Sequence, residues 1–410
     1  MRFSFSTNRF KNTSRWIGHF HSQNPADIEP NADIPSVQRS IGPDCTVYDA
    51  LRSSIELLQK QSIPEPVESA LHLLSFALNL NWETGYRQLR AIMEMTPPPH
   101  NRVQPIASPA HNLAQQALTS EQSTSYNSML ERRLQHEPIQ YIIGKWDFHH
   151  LMGIMIRKPM LCPRPETEEL VELVSGDIRR LIKERALDNG NVNENKIRIL
   201  DVGAGTGAIG IALAYQYPWD VQVVALDVLE EAVELSNHNA EKFLSPLISN
   251  EKSDEQIDVR SLYNAMLCSA KDFTNFSTAA ERQDHQKQRH TMGFDIVVSN
   301  PPYIPLGDMD GLSMDVLQYE SREALCGGHD GLDIIRDIIQ RLPEWTSCSN
   351  DKESSSQMRY CWMEVDDSHP RLLEKWLAPG SAEAKLYGVE YCECQKDFCG
   401  RDRFVKFRVL

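Results

Sequence analysis

Two hydrophobic periods succeed one another along the chain. Near the start the spacing is helical. Val47, Leu51, Ile55 and Leu58 recur one turn apart, as do Val67, Ala70, Leu71, Leu74 and Leu78, with Pro64 and Pro66 between the two runs. A third helix is predicted through Tyr86, Leu89 and Met93. Pro97, Pro98 and Pro99, then a polar stretch to Asn112, break the pattern. Thr119 and Gln122 have capping-box spacing, and Tyr126, Met129, Leu130 and Leu134 then share one face. From Pro138 to Phe148 the sequence turns β-like, and Leu151 to Ile156 can pair with it as a hairpin.

Beyond the hairpin, strands and helices alternate. A helix presenting Leu170, Leu173, Val174, Ile178 and Leu181 follows the proline-rich segment Cys162–Glu168. Ile197–Val202, Val221–Leu226 and Phe294–Ser299 are short apolar runs of the kind buried on both faces of a parallel sheet. Helices are predicted through Ile209, Leu213 and Ala214, from Glu230 to Phe243, and through Ile334, Ile335, Ile338 and Ile339. A strand at Tyr360–Val365, a helix at Arg371–Leu377 and two strands near Lys385–Tyr391 and Phe404–Val409 complete the order. Strands alternating with helices and ending in a hairpin predict an α/β fold, mostly parallel with an antiparallel C-terminal edge. The polar stretches Ser249–Gln256, Ala279–Thr291 and Ser347–Gln357 read as surface insertions. The chain thus parses into a leader at 1–26, a helical domain at 44–135, a hairpin linker at 136–160 and an α/β domain at 161–410.

Charge narrows the partners. The formal net charge of −15 argues against a broad nucleic-acid-binding face. The first 26 residues differ from the rest: Arg2, Arg9, Lys11 and Arg15 are accompanied by Ser, Thr and aromatic residues, with no acid before Asp27. That composition is that of a mitochondrial transit peptide, against the plainer reading of a basic tail. Removing it would take the net charge from −15 to −19. No apolar run reaches the length of a membrane span. The nine cysteines show no paired zinc spacing, so they read as free thiols and no metal is implied. The absence of a coiled-coil seam favours a monomer.

Candidate chemistry concentrates in two places. Asn300-Pro301-Pro302-Tyr303 follows an apolar strand, which the prolines must stop because they have no N–H to donate. Asn300 then projects from the strand's carboxyl end, where ligands bind in open α/β sheets. Its side-chain carbonyl and the Pro301 carbonyl can accept both hydrogens of an –NH2 group, with Tyr303 as an apolar wall. The second place is Gly203-Ala204-Gly205-Thr206-Gly207, between a strand and a helix. Its glycines permit a tight turn and close approach to a ligand, and the helix N-terminus offers N–H donors to an anion. Asp227, ending the next strand twenty residues beyond Gly207, can take both hydroxyls of a ribose. The G-x-G-x-G spacing favours S-adenosylmethionine over a dinucleotide, whose loops carry G-x-G-x-x-G. Asp272 and Phe273 are candidates to bind and stack on an adenine ring, or are simply a surface acid beside a core Phe.

Together these pieces are those of a known family. With Glu137–Tyr141, Arg164-Pro165-Glu166-Thr167-Glu168, the Tyr319–Leu325 stretch and Gly400-Arg401-Asp402-Arg403, the chain resembles the release-factor glutamine N5-methyltransferases, the HemK-like family, from the helical region to the C-terminus. The resemblance implies a class I, Rossmann-like methyltransferase with a seven-stranded sheet and an N-terminal helical bundle that contacts the substrate. It implies S-adenosyl-L-methionine as cofactor and the glutamine of a Gly-Gly-Gln motif, in a mitochondrial peptide chain release factor, as methyl acceptor in the matrix. Gly203, Gly205 and Gly207 would line the methionine part, Asp227 the ribose and Phe273 the adenine region, while Asn300 and Pro301 grip the glutamine amide beside Tyr303. The chain departs from the family pattern at Ser321, often Pro, and after Glu364-Val365, where a glycine is common. Two rivals remain: a nucleic-acid methyltransferase acting on an exocyclic amine, with a flipped base near Tyr303, and a catalytically idle binding factor that kept the fold.

Overall fold

The computed structural model describes residues 41–95, 108–189, 196–249, 258–274, 293–347 and 358–410. The basic leader read at 1–26 and nearly all of the three polar insertions lie outside them. The chain divides into two compact units. One runs to Lys145 and includes Ser313–Tyr319, and the other holds Trp146–Leu312 and Glu320–Leu410.

The first unit is helical: α1 (Val47–Lys60), α2 (Pro66–Ala77), α3 (Trp82–Met93), α4 (Pro109–Gln115), α5 (Ser120–Leu134) and α6 (Ile139–Ile143). Short polar side chains start four of them. Thr46, Asn81, Ser108 and Thr119 each accept a backbone N–H of the first turn, and Thr119 with Gln122 forms the expected capping box. The periodic apolar residues form the core, where Leu51, Leu58, Leu71, Leu74, Leu89 and Leu130 are fully buried. Tyr126 is buried with them and donates its hydroxyl proton to Ser54 Oγ at 2.8 Å.

Two local expectations are corrected here. The polar stretch up to Asn112 is not all loop, because Pro109 opens α4 behind the Ser108 cap and buries Ala110, Leu113 and Ala114. The β-like run from Pro138 does not begin as a strand. Its Ile139–Ile143 portion is a short helix, closed by Gly144 at φ 76°. Arg132 explains the override of β-propensity, since its guanidinium donates to the carbonyls of Tyr141 and Ile142, both at 3.2 Å. Carbonyls at a helix C-terminus are thereby satisfied by a cation.

A segment from far down the chain completes this unit. In α10 (Met314–Tyr319), Asp315 accepts from Arg133 at 2.7 Å and lies 3.0 Å from His136 Nδ1. Arg133 is buried and also donates to the Pro64 carbonyl, Ser69 Oγ and the Glu137 carbonyl.

The second unit is α/β. After the hairpin β1 (Lys145–Phe148) and β2 (Leu151–Met155) come α7 (Pro165–Asn189), β3 (Ile197–Val202), α8 (Ala208–Gln216), β4 (Val221–Asp227), α9 (Glu230–Ser249) and β5 (Tyr263–Leu267). Then follow β6 (Ile296–Ser299), α11 (Asp333–Thr346), β7 (Arg359–Glu364), α12 (His369–Trp376), α13 (Ala382–Tyr387), β8 (Val389–Lys396) and β9 (Asp402–Val409). The seven-stranded sheet has the order β5-β4-β3-β6-β7-β9-β8, parallel except for β9. The antiparallel strand is therefore one in from the edge, which β8 forms. Two strand limits also shift. Strand β5 is missing from the sequence pattern, and Lys385–Tyr387 belongs to α13, capped by Ser381 and closed by Gly388.

Alternate strand residues feed two cores, as the pleat requires. Ile199, Val223, Ile296 and Val298 pack with Leu170, Val174, Ile211 and Leu213 on one face. Leu200, Val202, Val297 and Met363 pack with Ile335, Ile338, Leu342 and Trp345 on the other. Each such burial is worth about 1.5–3 kcal/mol, so the strand ends beside the site stand on a stiff base. Among the described residues no helix is long and apolar enough to cross a membrane.

Removing Asp315 leaves Arg133 buried without its counter-charge. Asp315→Ala is expected to lower stability by about 3 kcal/mol, measured by urea unfolding. A change below the error of that measurement would show that α10 does not hold the helical unit.

Candidate active site

The site follows from strand order. The chain runs β3 to β4 to β5 toward one edge, then returns to place β6 on the other side of β3. That reversal is a switch point, where a crevice opens beyond the carboxyl ends of the strands. Val202 is in register with Ser299, and the Ser299 hydroxyl donates to the Val202 carbonyl at 2.6 Å. The next residues are Gly203 and Asn300. A Cβ placed on Gly203 would come 3.8 Å from the Asn300 carbonyl oxygen. The two segments singled out by sequence thus lie side by side.

The glycine loop works differently from expectation. Gly203 and Ala204 donate their N–H groups to the Leu226 carbonyl, Gly205 donates to Asp227 Oδ2, and Gly207 donates to the Ala204 carbonyl. The amides of Gly203, Ala204 and Gly205 thus hold the loop against the end of β4 and are not free for an anion, while those of Thr206, Ala208 and Ile209 at the start of α8 are not among these bonds. What the loop offers is room. Nothing lies within 4 Å of a Cβ built on Gly205, whereas one on Gly207 would meet Ile211 at 2.6 Å and Ser236 at 2.9 Å. Gly207 is thus required for packing at φ 81°, while Gly203 and Gly205 line open space. Ala204 and Thr206 are buried, and the Thr206 carbonyl accepts from Asn239 at 2.9 Å.

Asp227 is half-buried and accepts from Gly205 N and Leu229 N, at 2.8 and 3.0 Å. A carboxylate has about four acceptor sites, so two directions remain for hydroxyl groups of a ligand. Beneath the loop, Asp201 is fully buried and accepts from Gly210 N at 2.9 Å. Burial, reinforced by the nearby Asp227 charge, pushes its pKa up to about 7.

At Asn300 the geometry is polar and enclosed. Its Nδ2 donates to Thr167 Oγ1 at 3.1 Å, Thr167 Oγ1 donates to Glu364 Oε2 at 2.7 Å, and the Tyr303 hydroxyl donates to Glu364 Oε1 at 3.3 Å. No described residue donates to Asn300 Oδ1 or to the Pro301 carbonyl. Pro301 is buried, Pro302 and Tyr303 are half-buried, and the Arg403 guanidinium lies 5.7 Å from the centre of the Tyr303 ring. Burial raises the pKa of Glu364, against the pull of Thr167 and Arg403.

Asp272 and Phe273 are placed apart from each other in character. Asp272 is exposed and accepts from the Ser269 hydroxyl at 2.6 Å. Phe273 sits in the core, its ring 6.2 Å from Phe294 and 6.1 Å from Trp345, with 8% of its surface exposed. Most of this side chain is taken up by the core, which leaves little of it for a ligand. For a metal, His149, His150 and Glu172 bring candidate ligand atoms within 4.8 Å of one another. Within that group His149 Nε2 lies 2.8 Å from Glu172 Oε1.

Thr167 and Glu364 are the partners sequence reasoning passed over. Both stood in quoted segments, but only the pairing of β6 with β7, which sets Ser299 beside Met363, brings Asn300 next to Glu364.

The sheet order, the glycine loop with open space before it and the acid ending the next strand define a class I S-adenosylmethionine-dependent methyltransferase. Residues 111–144 match the PrmC N-terminal domain, and residues 193–254 match a methyltransferase domain. Human MTRF1L release factor glutamine methyltransferase is 32% identical over 365 residues, covering 87% of this chain and 88% of the relative. The release factor glutamine methyltransferase of Thermodesulfovibrio yellowstonii is 31% identical over 287 residues, 70% of this chain and 81% of its own. That of Bacillus anthracis is 31% identical over 226 residues, 55% of this chain and 65% of its own. The chain belongs to the release factor glutamine methyltransferase family.

Two measurements test the loop. Asp201 has a folded pKa above its unfolded value, so its favourable contribution is complete at low pH and is lost as pH rises toward and through about 7. Asp201→Asn should therefore gain thermal stability over the parent by several degrees between pH 5 and 8, and a gain that does not grow with pH would refute the buried ionisation. Gly207→Ala should lower Tm and cofactor affinity together, because the added methyl collides with Ile211 and Ser236.

Proposed function

We propose that this protein transfers the methyl group of S-adenosylmethionine to the side-chain nitrogen (N5) of the glutamine in the Gly-Gly-Gln motif of a peptide chain release factor. The observation that carries this reading is the adjacency of Gly203 and Asn300 at the ends of β3 and β6, with two open carbonyl acceptors on the Asn300 side. Bound along the glycine loop, S-adenosylmethionine supplies an electrophilic methyl group. Gly203 and Gly205 leave room for its methionine part, Gly207 keeps the loop closed against Ile211 and Ser236, Asp227 takes the ribose hydroxyls, and Asp272 with Phe273 borders the adenine.

An amide nitrogen is a poor nucleophile because its lone pair is delocalised into the carbonyl. Asn300 Oδ1 and the Pro301 carbonyl each accept one N–H of the glutamine amide. That fixes the amide plane, aims the nitrogen lone pair at the methyl carbon and raises electron density on nitrogen. Pro302 shapes the turn and Tyr303 supplies the wall. Catalysis is then positioning and electrostatics, with no covalent intermediate. The N–CH3 bond would form as the S–CH3 bond breaks, and S-adenosylhomocysteine would leave. The surplus amide proton would depart along its hydrogen bond toward Asn300 Oδ1 or the Pro301 carbonyl and on to solvent. The helical unit, which contains the PrmC N-terminal domain match, reads the release factor. The basic leader supports a mitochondrial release factor in the matrix as the target, and the chain acts as a monomer. The net charge of −15 supports a protein target over nucleic acid.

The test is a transfer assay with labelled S-adenosylmethionine and three acceptors in parallel: a mitochondrial release factor, its Gly-Gly-Ala variant and mitochondrial nucleic acid. Label is expected on the Gly-Gly-Gln glutamine alone. Asn300→Ala should lower kcat by about 10²-fold or more while cofactor Kd stays within a few-fold. Label confined to nucleic acid would overturn the substrate, and parallel losses in kcat and cofactor binding would overturn the role of Asn300.

A further inference from the structure

We infer that Thr167 and Glu364 set the polarity of the Asn300 carboxamide, so that its oxygen and not its NH2 group faces the acceptor amide. The inference rests on the role proposed for Asn300 and names the residues that make it work. A carboxamide turned by half a revolution occupies the same space with donor and acceptor exchanged. Shape alone therefore leaves Asn300 with two orientations. In one, its oxygen accepts an N–H of the substrate amide. In the other, two donors confront that amide's own hydrogens and hold nothing.

Proton counting selects between them. Both Glu364 oxygens accept from hydroxyls, Oε2 from Thr167 and Oε1 from Tyr303, and the Thr167 hydroxyl has one proton. That proton is committed to Glu364 Oε2 at 2.7 Å, which leaves Thr167 Oγ1 as an acceptor toward Asn300 at 3.1 Å. The NH2 end of Asn300 must then face Thr167, and its oxygen must face away. Tyr303 donates to the other Glu364 oxygen at 3.3 Å, so the carboxylate orders both walls of the site at once.

The relay is shielded from water. Thr167 is 4% exposed and Glu364 2%. A solvent molecule therefore does not compete to reverse the direction of either bond. Three elements contribute: Thr167 from the first turn of α7, Glu364 from the last position of β7 and Asn300 from the end of β6. Arg403 supports the Glu364 charge and Glu166 opposes it. Neither Thr167 nor Glu364 is assigned contact with the acceptor, so both are positioning residues.

The decisive variants are Thr167→Val, which keeps the shape and removes the hydroxyl, and Thr167→Ser, which keeps the hydroxyl. A third, Glu364→Gln, supplies a donor toward Thr167 and so permits the whole relay to reverse. With the full-length enzyme and release factor, Thr167→Val is expected to lower kcat/KM about tenfold or more, with cofactor Kd unchanged within about twofold. Thr167→Ser should retain activity within about threefold, and Glu364→Gln should lose at least as much as Thr167→Val. A merely structural bond would instead move Tm and cofactor binding along with turnover. Should Glu364→Gln fail to fold, the Val and Ser pair decides. Unchanged kcat/KM for Thr167→Val overturns the inference if Asn300→Ala is inactive. If Asn300→Ala is also fully active, the role of Asn300 itself falls.

Discussion

The pairing of β3 with β6 is the constraint on which this molecule's chemistry depends. Parallel register sets Val202 beside Ser299, and the buried Ser299 hydroxyl closes on the Val202 carbonyl. Neither residue touches a reacting atom. Yet a one-residue slip would turn the strand over and separate Gly203 from Asn300. Apolar burial on both faces of β6 removes that freedom, and two prolines end the strand at the point where Asn300 must emerge. Gly203 and Asn300, 97 residues apart in sequence, are brought together through a register that hydrophobic packing dictates.

Around this seam the protein carries an unusual load of buried charge. Glu320 is held by Arg164 at 2.8 Å, Asp397 by Arg401 at 3.0 Å, and Glu364 lies between two hydroxyl donors. Burial without partners would cost several kcal/mol for each. Paired as they are, these groups admit few alternative arrangements, which suits a reaction that depends on orientation more than on acid–base strength. Glu169, whose pKa burial and neighbouring acids push up to about 7, marks the boundary of that tolerance.

Much of this was legible along the chain because it rests on local rules. The prolines after Ser299, the glycines after Val202 and the acid ending β4 each act through backbone geometry that a short window contains. What was not legible depends on remote partners. Ile139–Ile143 reads as strand until Arg132 is seen holding its carbonyls. Strand β5, Tyr263–Leu267, carries Asn264 and Ala265 in place of an unbroken run of large apolar residues and so does not stand out until β4 pairs with it. Phe273 reads equally as ligand wall or core, and Phe294 and Trp345 take most of its ring. Even the amides of Gly203, Ala204 and Gly205 could be counted as donors to a ligand until Leu226 and Asp227 were found to occupy them.

That last difference changes what a glycine loop means here. A phosphate-binding loop presents its N–H groups to the ligand, and its glycines let the backbone close around charge. Here the N–H groups of Gly203, Ala204 and Gly205 are spent on β4, and the glycines at 203 and 205 leave open a surface beside the Asn300 carbonyl oxygen. Such a surface suits a sulfonium compound, whose reactive carbon carries positive character and needs no anion hole. On the Asn300 side, no described residue donates to Asn300 Oδ1 or to the Pro301 carbonyl. Any planar –NH2 group gains from that arrangement, whether it belongs to a glutamine or to a base. Discrimination between such acceptors must therefore come from residues outside the tetrapeptide.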